Sequence, residues 1–197
     1  MEFVKGRKGA PRMKKIVVFA SGSGSNFEVI VKKLHGQVCE VALLVCDKPG
    51  AYCLERAARL GIKTMQLTLK DFPSKVEYET EILKYLEKID PDLIVLAGYM
   101  KLIEETLLNR YEGKIINIHP TLLPAFSGKD GMNDAMRYGV KVMGVTVHYI
   151  DAGIDTGKII DQDSFKRADE ETDAQSQAKI RAMEHELYPR VIERLLK

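Results

Sequence analysis

The chain has no tryptophan, only three cysteines, no surplus of either charge and no apolar run long enough to cross a bilayer. Each shortage excludes something. Lysine and arginine number 30 against 28 aspartates and glutamates, for a net charge of +2. A nucleic-acid binder needs a basic excess or patch, so nucleic acid is not an expected partner. No segment approaches the roughly 20 apolar residues that a membrane helix requires, so no membrane is expected either. Cys39, Cys46 and Cys53 are odd in number and lack the CxxC spacing or neighbouring histidines of a zinc site. They read as buried free thiols in a reducing compartment, with no metal and a cytoplasmic location. There is no internal repeat and no low-complexity linker among the 197 residues, which suits one domain. The first residues, MEFVKGRKGAPR, are basic, aperiodic and without the apolar core of a signal peptide. Residues 1–12 are therefore expected to be a disordered extension or a cloning remnant, and 13–197 the folded domain.

What is present is an alternation of apolar runs and helical patterns. Strands are expected over 15–20, 38–46, 62–67, 92–97, 114–118 and 142–150, with another over 158–161. The run 92–97, DLIVLA, is almost wholly apolar, as a strand covered on both sides should be. Helices are expected from Asn26 (Phe27, Ile30, Val31 and Leu34 share a face), over 52–60 ending at Gly61, over 75–89 before Pro91, over 130–138, and over 170–196 with a kink or break near Pro189. This is an α/β domain on a mostly parallel twisted sheet with helices on both faces. The strands 142–150 and 158–161 leave no room for a helix between them, so they form an antiparallel extension. Ligands of open α/β sheets bind beyond the carboxyl ends of the strands. Loops 21–26, 98–101 and 117–124 lie there.

Three segments could carry chemistry. Ser21-Gly22-Ser23-Gly24-Ser25-Asn26 joins the first strand to the first helix, where glycines admit an anion and helix N–H groups bind phosphate. Phe27 stands where GxGxxG has its third glycine, and there is no Gly-Lys-Ser/Thr, so the loop fits neither a dinucleotide nor a P-loop. It is either a monophosphate site or a plain turn. Asn117-x-His119-Pro120 ends a strand, so residues two apart share a face. There His119 could move a proton and Asn117 could donate to an oxyanion, unless the pair is only a capped strand end. In Gly153-Ile154-Asp155-Thr156-Gly157, an aspartate could orient His119, with Asp151 and Asp155 equal candidates on spacing. His148 reads as a core histidine, His35 and His185 have no local signature, and Glu184 reads as part of a solvated helix face.

Taken in order, SGSGSN, Asn117-Ile-His-Pro-x-Leu-Leu-Pro124 and His148…Asp155-x-Gly157 resemble the phosphoribosylglycinamide formyltransferase family, the folate-dependent transformylases of purine biosynthesis. The resemblance runs from Met13 to the C-terminus and includes Ala97-Gly98-Tyr99-Met100 and Glu184-His185-x-x-Tyr188-Pro189. It implies a formyltransferase fold of about seven strands, a monomer or homodimer, and small-molecule substrates. The implied reaction moves the formyl group of 10-formyltetrahydrofolate, a co-substrate, to the amine of glycinamide ribonucleotide, without a metal. It implies Asn117, His119 and Asp155 as the catalytic trio, and Gly24, Ser25, Asn26 and Glu184 as nucleotide-binding residues. Met100, Lys101, Leu102, Ile103 and Asn117 would line the folate pocket, with Lys75 nearby. The chain departs from the family's usual residues at Lys101, Ser127 and Lys158, and segment 128–132 lacks a histidine many members carry. Alternatives are a hydrolase of the same folate and a non-catalytic folate- or nucleotide-binding module. A formyltransferase acting on charged tRNA would want a further domain and more positive charge.

Overall fold

The structure is a computed structural model and describes residues 12–197. The expectation for residues 1–12 falls, apart from Arg12, outside the described residues. Seven strands form one sheet: β1 (Lys14–Ala20), β2 (Cys39–Cys46), β3 (Thr64–Gln66), β4 (Leu93–Leu96), β5 (Ile115–His119), β6 (Val142–Tyr149) and β7 (Ile159–Lys166). Their spatial order is β3-β2-β1-β4-β5-β6-β7. The first five are mutually parallel, and β6 and β7 are antiparallel to their neighbours. The helices are α1 (Ser25–Leu34), α2 (Tyr52–Leu60), α3 (Lys75–Ile89), α4 (Glu105–Leu108), α5 (Gly131–Tyr138) and α6 (Asp173–Leu196).

Strand parity divides the core in two. Ile16, Val18 and Ala20 of β1 face one way and meet α1, α2 and α6 through Phe27, Ile30, Ala57, Ile180 and Val191. Val17 and Phe19 face the other way, against Tyr78, Ile82 and Leu86 of α3 and Leu107 of α4. Every residue of β4 is buried because both faces are covered. Cys39, Cys46 and Cys53 are free and buried.

Local signals set most helix ends. Ser74 caps α3 by accepting from the Glu77 N–H, and Gly61 ends α2 in the left-handed conformation at φ 69°. Four expectations change. The last helix begins at Asp173, where Thr172 and Gln175 form a capping box, and it runs unbroken through Pro189. Proline cannot donate to the carbonyl of His185 four residues back; Lys33 Nζ donates to it instead, at 3.1 Å. The last strand is longer than 158–161 because it pairs along nearly all of β6, although its residues IIDQDSFK are largely polar. The strand within 62–67 shortens to Thr64–Gln66. Helix α4 was not expected at all. It is short, and Glu79 of α3 caps it, accepting from the N–H of Glu104 at 2.8 Å and of Leu107 at 3.3 Å.

Candidate active site

Ile115 packs into the α3/α4 side of the core, and Ile116 and Ile118 into the other. Parity therefore turns Asn117 and His119 toward the α3/α4 side, at the carboxyl end of β5. Strand β6 runs antiparallel beside them with Asn117 opposite His148 and His119 opposite Thr146. Directly opposed residues share a face, so β6 adds its own polar side chains to the same spot.

His148 is fully buried, as a core histidine would be, yet its ring belongs to the site. Its Nδ1 lies 2.9 Å from the Tyr149 carbonyl, which fixes the proton on that nitrogen. Nε2 is then an acceptor, 3.3 Å from Asn117 Nδ2. Burial pushes the His148 pKa down from the ordinary histidine value, so the neutral ring is favoured. The contact fixes the amide of Asn117, leaving its second N–H for a ligand.

Asp155, not Asp151, reaches the histidines. Its Oδ2 lies 3.4 Å from His119 Nδ1 and its Oδ1 3.6 Å from His148 Nε2, and Oδ2 also accepts from the Gly128 N–H at 2.7 Å. Asp155 holds a positive φ of 55°. Asp151 is spent on its own turn, accepting from the Gly153 N–H at 3.0 Å and Thr156 Oγ1 at 2.7 Å. His119 Nε2 lies 2.9 Å from the Phe126 carbonyl. The ring thus stands with one nitrogen against a carbonyl and the other against the Asp155 carboxylate, the setting of a group that can pass a proton. A ligand atom entering the cleft can take the place of the Phe126 carbonyl at His119 Nε2.

Across the cleft, loop 21–26 opens α1. Gly24 has φ 71° and no side chain caps the helix. Among the described residues, the N–H groups of Ser23, Gly24, Ser25, Asn26 and Phe27 have no protein acceptor. That concentration of free donors, with the helix dipole behind it, is an anion site. Ser21 is structural: its hydroxyl accepts from the Met100 N–H at 2.8 Å. Asn26 Nδ2 donates to Glu184 Oε2 at 3.2 Å, while Asn26 Oδ1 is buried without a partner. Glu184 thus faces the cleft rather than solvent, a correction to the plain reading of its helix face. Burial raises its pKa to about 7, against the opposing effects of the Asn26 hydrogen bond and Arg181.

Two cavities meet here. One, of about 600 Å³, is lined by Gly22, Ser23, Gly24, Ser25, Asn26, Met100, His119, Lys129 and Glu184. The other, of about 700 Å³, is lined by Val76, Leu96, Ile103, Glu104, Leu108, Asn109 and Ile150. Both touch Tyr99, Lys101, Leu102, Asn117, Ile154 and Asp155. Of the residues that resemblance assigned to folate, Lys101, Leu102 and Asn117 border both chambers, Ile103 the larger one and Met100 the smaller. Lys75 lines neither and pairs with Glu104 at the rim, 2.8 Å away. Among the described residues no group of His, Cys, Asp or Glu is placed to hold a metal ion, and no helix is long and apolar enough to cross a membrane.

Two contributors escaped the reading of the sequence, and a third, Tyr188, figures in it only as part of a motif without a role. Thr146, opposite His119, donates to the Thr121 carbonyl at 2.7 Å and accepts from the Leu123 N–H at 3.0 Å, fixing the chain after His119. Tyr188 on α6 points its hydroxyl at the carbonyls of Leu96, 2.8 Å away, and Ile116, 3.1 Å away, joining β4 to β5 beside Asn117. Glu79 holds α4, the wall of the larger chamber. Each acts over a long sequence separation, and neither Thr146 nor Glu79 carries a local motif.

Residues 14–192 match the protein-family model described as "Formyl transferase". The chain is 49% identical over 186 residues to "Phosphoribosylglycinamide formyltransferase" of Bacillus subtilis (strain 168), covering 93% of this chain and 95% of that protein. It is 37% identical to "Trifunctional purine biosynthetic protein adenosine-3" of Drosophila pseudoobscura pseudoobscura, covering 91% of this chain but 13% of that protein. The crystal structure of glycinamide ribonucleotide transformylase 1 from Geobacillus kaustophilus superposes with a TM-score of 0.91 at 51% identity, covering 94% of this chain and all of that one.

Proposed function

The chain belongs to the formyl transferase family, and from that membership we propose that it moves the formyl group of 10-formyltetrahydrofolate to the amine of glycinamide ribonucleotide. It is an enzyme, a phosphoribosylglycinamide formyltransferase of purine biosynthesis. The observation that carries the reading of the site is the junction of the two cavities at Asn117 and Asp155. One chamber ends in the anion-binding start of α1 and suits a ribonucleotide monophosphate. The other, walled by Leu96, Ile103, Leu108 and Ile150 with polar groups such as Asn109 and Asp151 along its edge, suits a flat heteroaromatic ring such as a pterin.

Two substrates entering from opposite ends meet where proton-handling groups stand, which supplies proximity. The neutral amine attacks the formyl carbon, and the carbonyl oxygen becomes an oxyanion. The Asn117 N–H left free by His148 donates to it, and the positive charge of His119 stabilises it. Asp155 holds that charge in place. The proton lost by the amine passes by way of His119 or a water to the departing folate nitrogen. Gly24, Ser25 and Asn26 hold the phosphate, and Glu184, tied to Asn26, meets the sugar side of the nucleotide. Lys101, Leu102 and Ile103 border the folate, with Met100 on the nucleotide side and the Lys75–Glu104 pair at the entrance. The residues 13–197 act as one catalytic domain in the cytoplasm.

The test is absorbance of 10-formyl folate mixed with the protein, with and without glycinamide ribonucleotide. Loss of the formyl signal only with the nucleotide is the expected result. Loss without it would make the protein a hydrolase, and binding without loss a non-catalytic module.

A further inference from the structure

We infer that Arg56, which lies behind the loop and outside the cleft, is the positioning residue that shapes the phosphate site; this rests on the function proposed above. A trans peptide points its C=O and its N–H in opposite directions. The Gly22 carbonyl accepts from the Cys53 N–H at 3.0 Å, and the Ser23 carbonyl accepts from Arg56 Nε at 2.8 Å. Both carbonyls are thereby drawn toward α2. The N–H groups that share their peptides, those of Ser23 and Gly24, are turned the other way, toward the cleft. A reversal of either peptide would aim a carbonyl dipole at the phosphate.

The two anchors differ in kind. The first is backbone to backbone and no substitution of Cys53 other than proline removes it. The second depends on one side chain, and that side chain is itself fixed. Its Nη1 pairs with Glu28 in the first turn of α1, and the guanidinium lies 4.8 Å from the centre of the Tyr52 ring. Arg56 therefore ties the residue before the helix to the helix's own first turn. With Lys32, whose Nζ lies 2.8 Å from Glu28 Oε1, it also offsets the one carboxylate in that turn, Glu28. Meeting a carbonyl with Nε and a carboxylate with Nη1 together takes the rigid fork of arginine. Lysine supplies the charge at a single point and cannot span both.

The experiment varies glycinamide ribonucleotide at saturating 10-formyl folate, and separately measures competitive inhibition by inorganic phosphate. Arg56→Lys is compared with the unaltered protein, and Arg59→Lys on the same helix, where Arg59 reaches only Tyr52 among the described residues, serves as control. The expected result is a parallel rise of about tenfold in the nucleotide KM and the phosphate inhibition constant of Arg56→Lys, the size of one hydrogen bond to a charged group. The kcat and the folate KM stay within about twofold of the original, since neither reacting group has moved. Arg56→Gln, which lacks the charge as well, is expected to raise both constants at least as far. Unchanged constants in Arg56→Lys would overturn the inference, as would a fall in kcat and unfolding temperature with the nucleotide KM unmoved. Turnover by the unaltered protein with no inhibition by phosphate would overturn the phosphate site itself, and the inference with it. Turnover absent from the unaltered protein, with phosphate still bound, would sink the proposed reaction alone; phosphate affinity then decides on Arg56.

Discussion

Replacing Gly24 by alanine separates two effects that a single glycine can hide. Gly24 has φ +71°, and a Cβ there would stand 2.5 Å from Cys53 Cβ and 2.9 Å from Cys53 Cα. Carbon atoms rest at about 3.5–4.0 Å, so something must move by about 1 Å. Because Cys53 Cα belongs to the backbone of α2, no side-chain rotation relieves the contact. The left-handed conformation costs about 1–2 kcal/mol for a residue with a Cβ, and overpacking of this kind adds about 1–3 kcal/mol. The sum is a loss of about 2–5 kcal/mol, which for a chain of this length lowers the unfolding midpoint by about 2–4 °C per kcal/mol. Gly36 is the matched control: its φ is +76° and a Cβ there would meet nothing within 4 Å. Gly36→Ala should show the conformational cost alone. The assay is thermal and urea unfolding of both variants, with the nucleotide KM measured on whatever remains folded. The same displacement separates the Gly22 carbonyl from the Cys53 N–H, so the KM of Gly24→Ala should rise as well. Equal stability losses in the two variants, with the nucleotide KM of Gly24→Ala unchanged, would refute the close approach of loop and α2.

The remaining predictions concern single side chains around the same centre. Asn117→Ala removes an oxyanion donor and should lower kcat by about 10²–10³ with the fold intact by circular dichroism; near-normal turnover would remove Asn117 from the mechanism. Glu184 is raised to about 7 in the folded protein from an ordinary value of 4.5. A raised carboxyl stabilises the fold fully below its unfolded value and loses that contribution as pH climbs through the folded one, here across about 4.5 to 7. Glu184→Gln should therefore gain on the original protein by about 1–3 kcal/mol between pH 4.5 and pH 8 in urea unfolding; parallel pH curves would contradict the burial argument. Tyr188→Phe leaves the carbonyls of Leu96 and Ile116 without their shared donor and should cost about 1–3 kcal/mol in unfolding free energy; an unchanged midpoint would mean that water replaces the hydroxyl.

The sheet was legible where burial on both faces writes a continuous apolar run, as in β1, β2 and β4. It was less so at β7, whose residues are those of an exposed edge; only its pairing with β6 makes it a strand of eight residues. The unbroken α6 could not be read from Pro189, because the group that serves the orphaned His185 carbonyl is Lys33, 152 positions away. The same holds for Glu184, whose partner Asn26 lies 158 positions earlier. Spacing left Asp151 and Asp155 equal, although Gly153 and Thr156 together mark the turn that Asp151 caps. Asn117 and His119 were legible because two positions on a strand suffice to place them on one face, whatever the rest of the fold does.

That local rule explains why the site sits where it does. On the α3/α4 side the sheet is covered by α3 as far as β1 and β4, but the connection from β4 to β5 contributes only the four residues of α4. Leu107 seals the face at Ile115, and past that level the strand is met by loops rather than a helix, with Phe126 and Asp155 against His119. The next two residues of β5 on this face are Asn117 and His119. A longer helix after β4 would fill the space that is now the larger cavity, whose wall is segment 101–109 and loop 150–155. The cleft is thus the missing part of a crossover helix, and its floor is polar because β6 arrives in the one register that sets His148 across from Asn117. Shifting that pairing by one residue would bring Val147 opposite Asn117 and turn the histidine into the other core. An insertion of one residue before Val142 is tolerable only if it is absorbed in the loop ahead of β6. Insertion between Val147 and His148 falls inside the stretch that pairs with β5, residues 146–149, and should abolish the Asn117–His148 contact along with turnover.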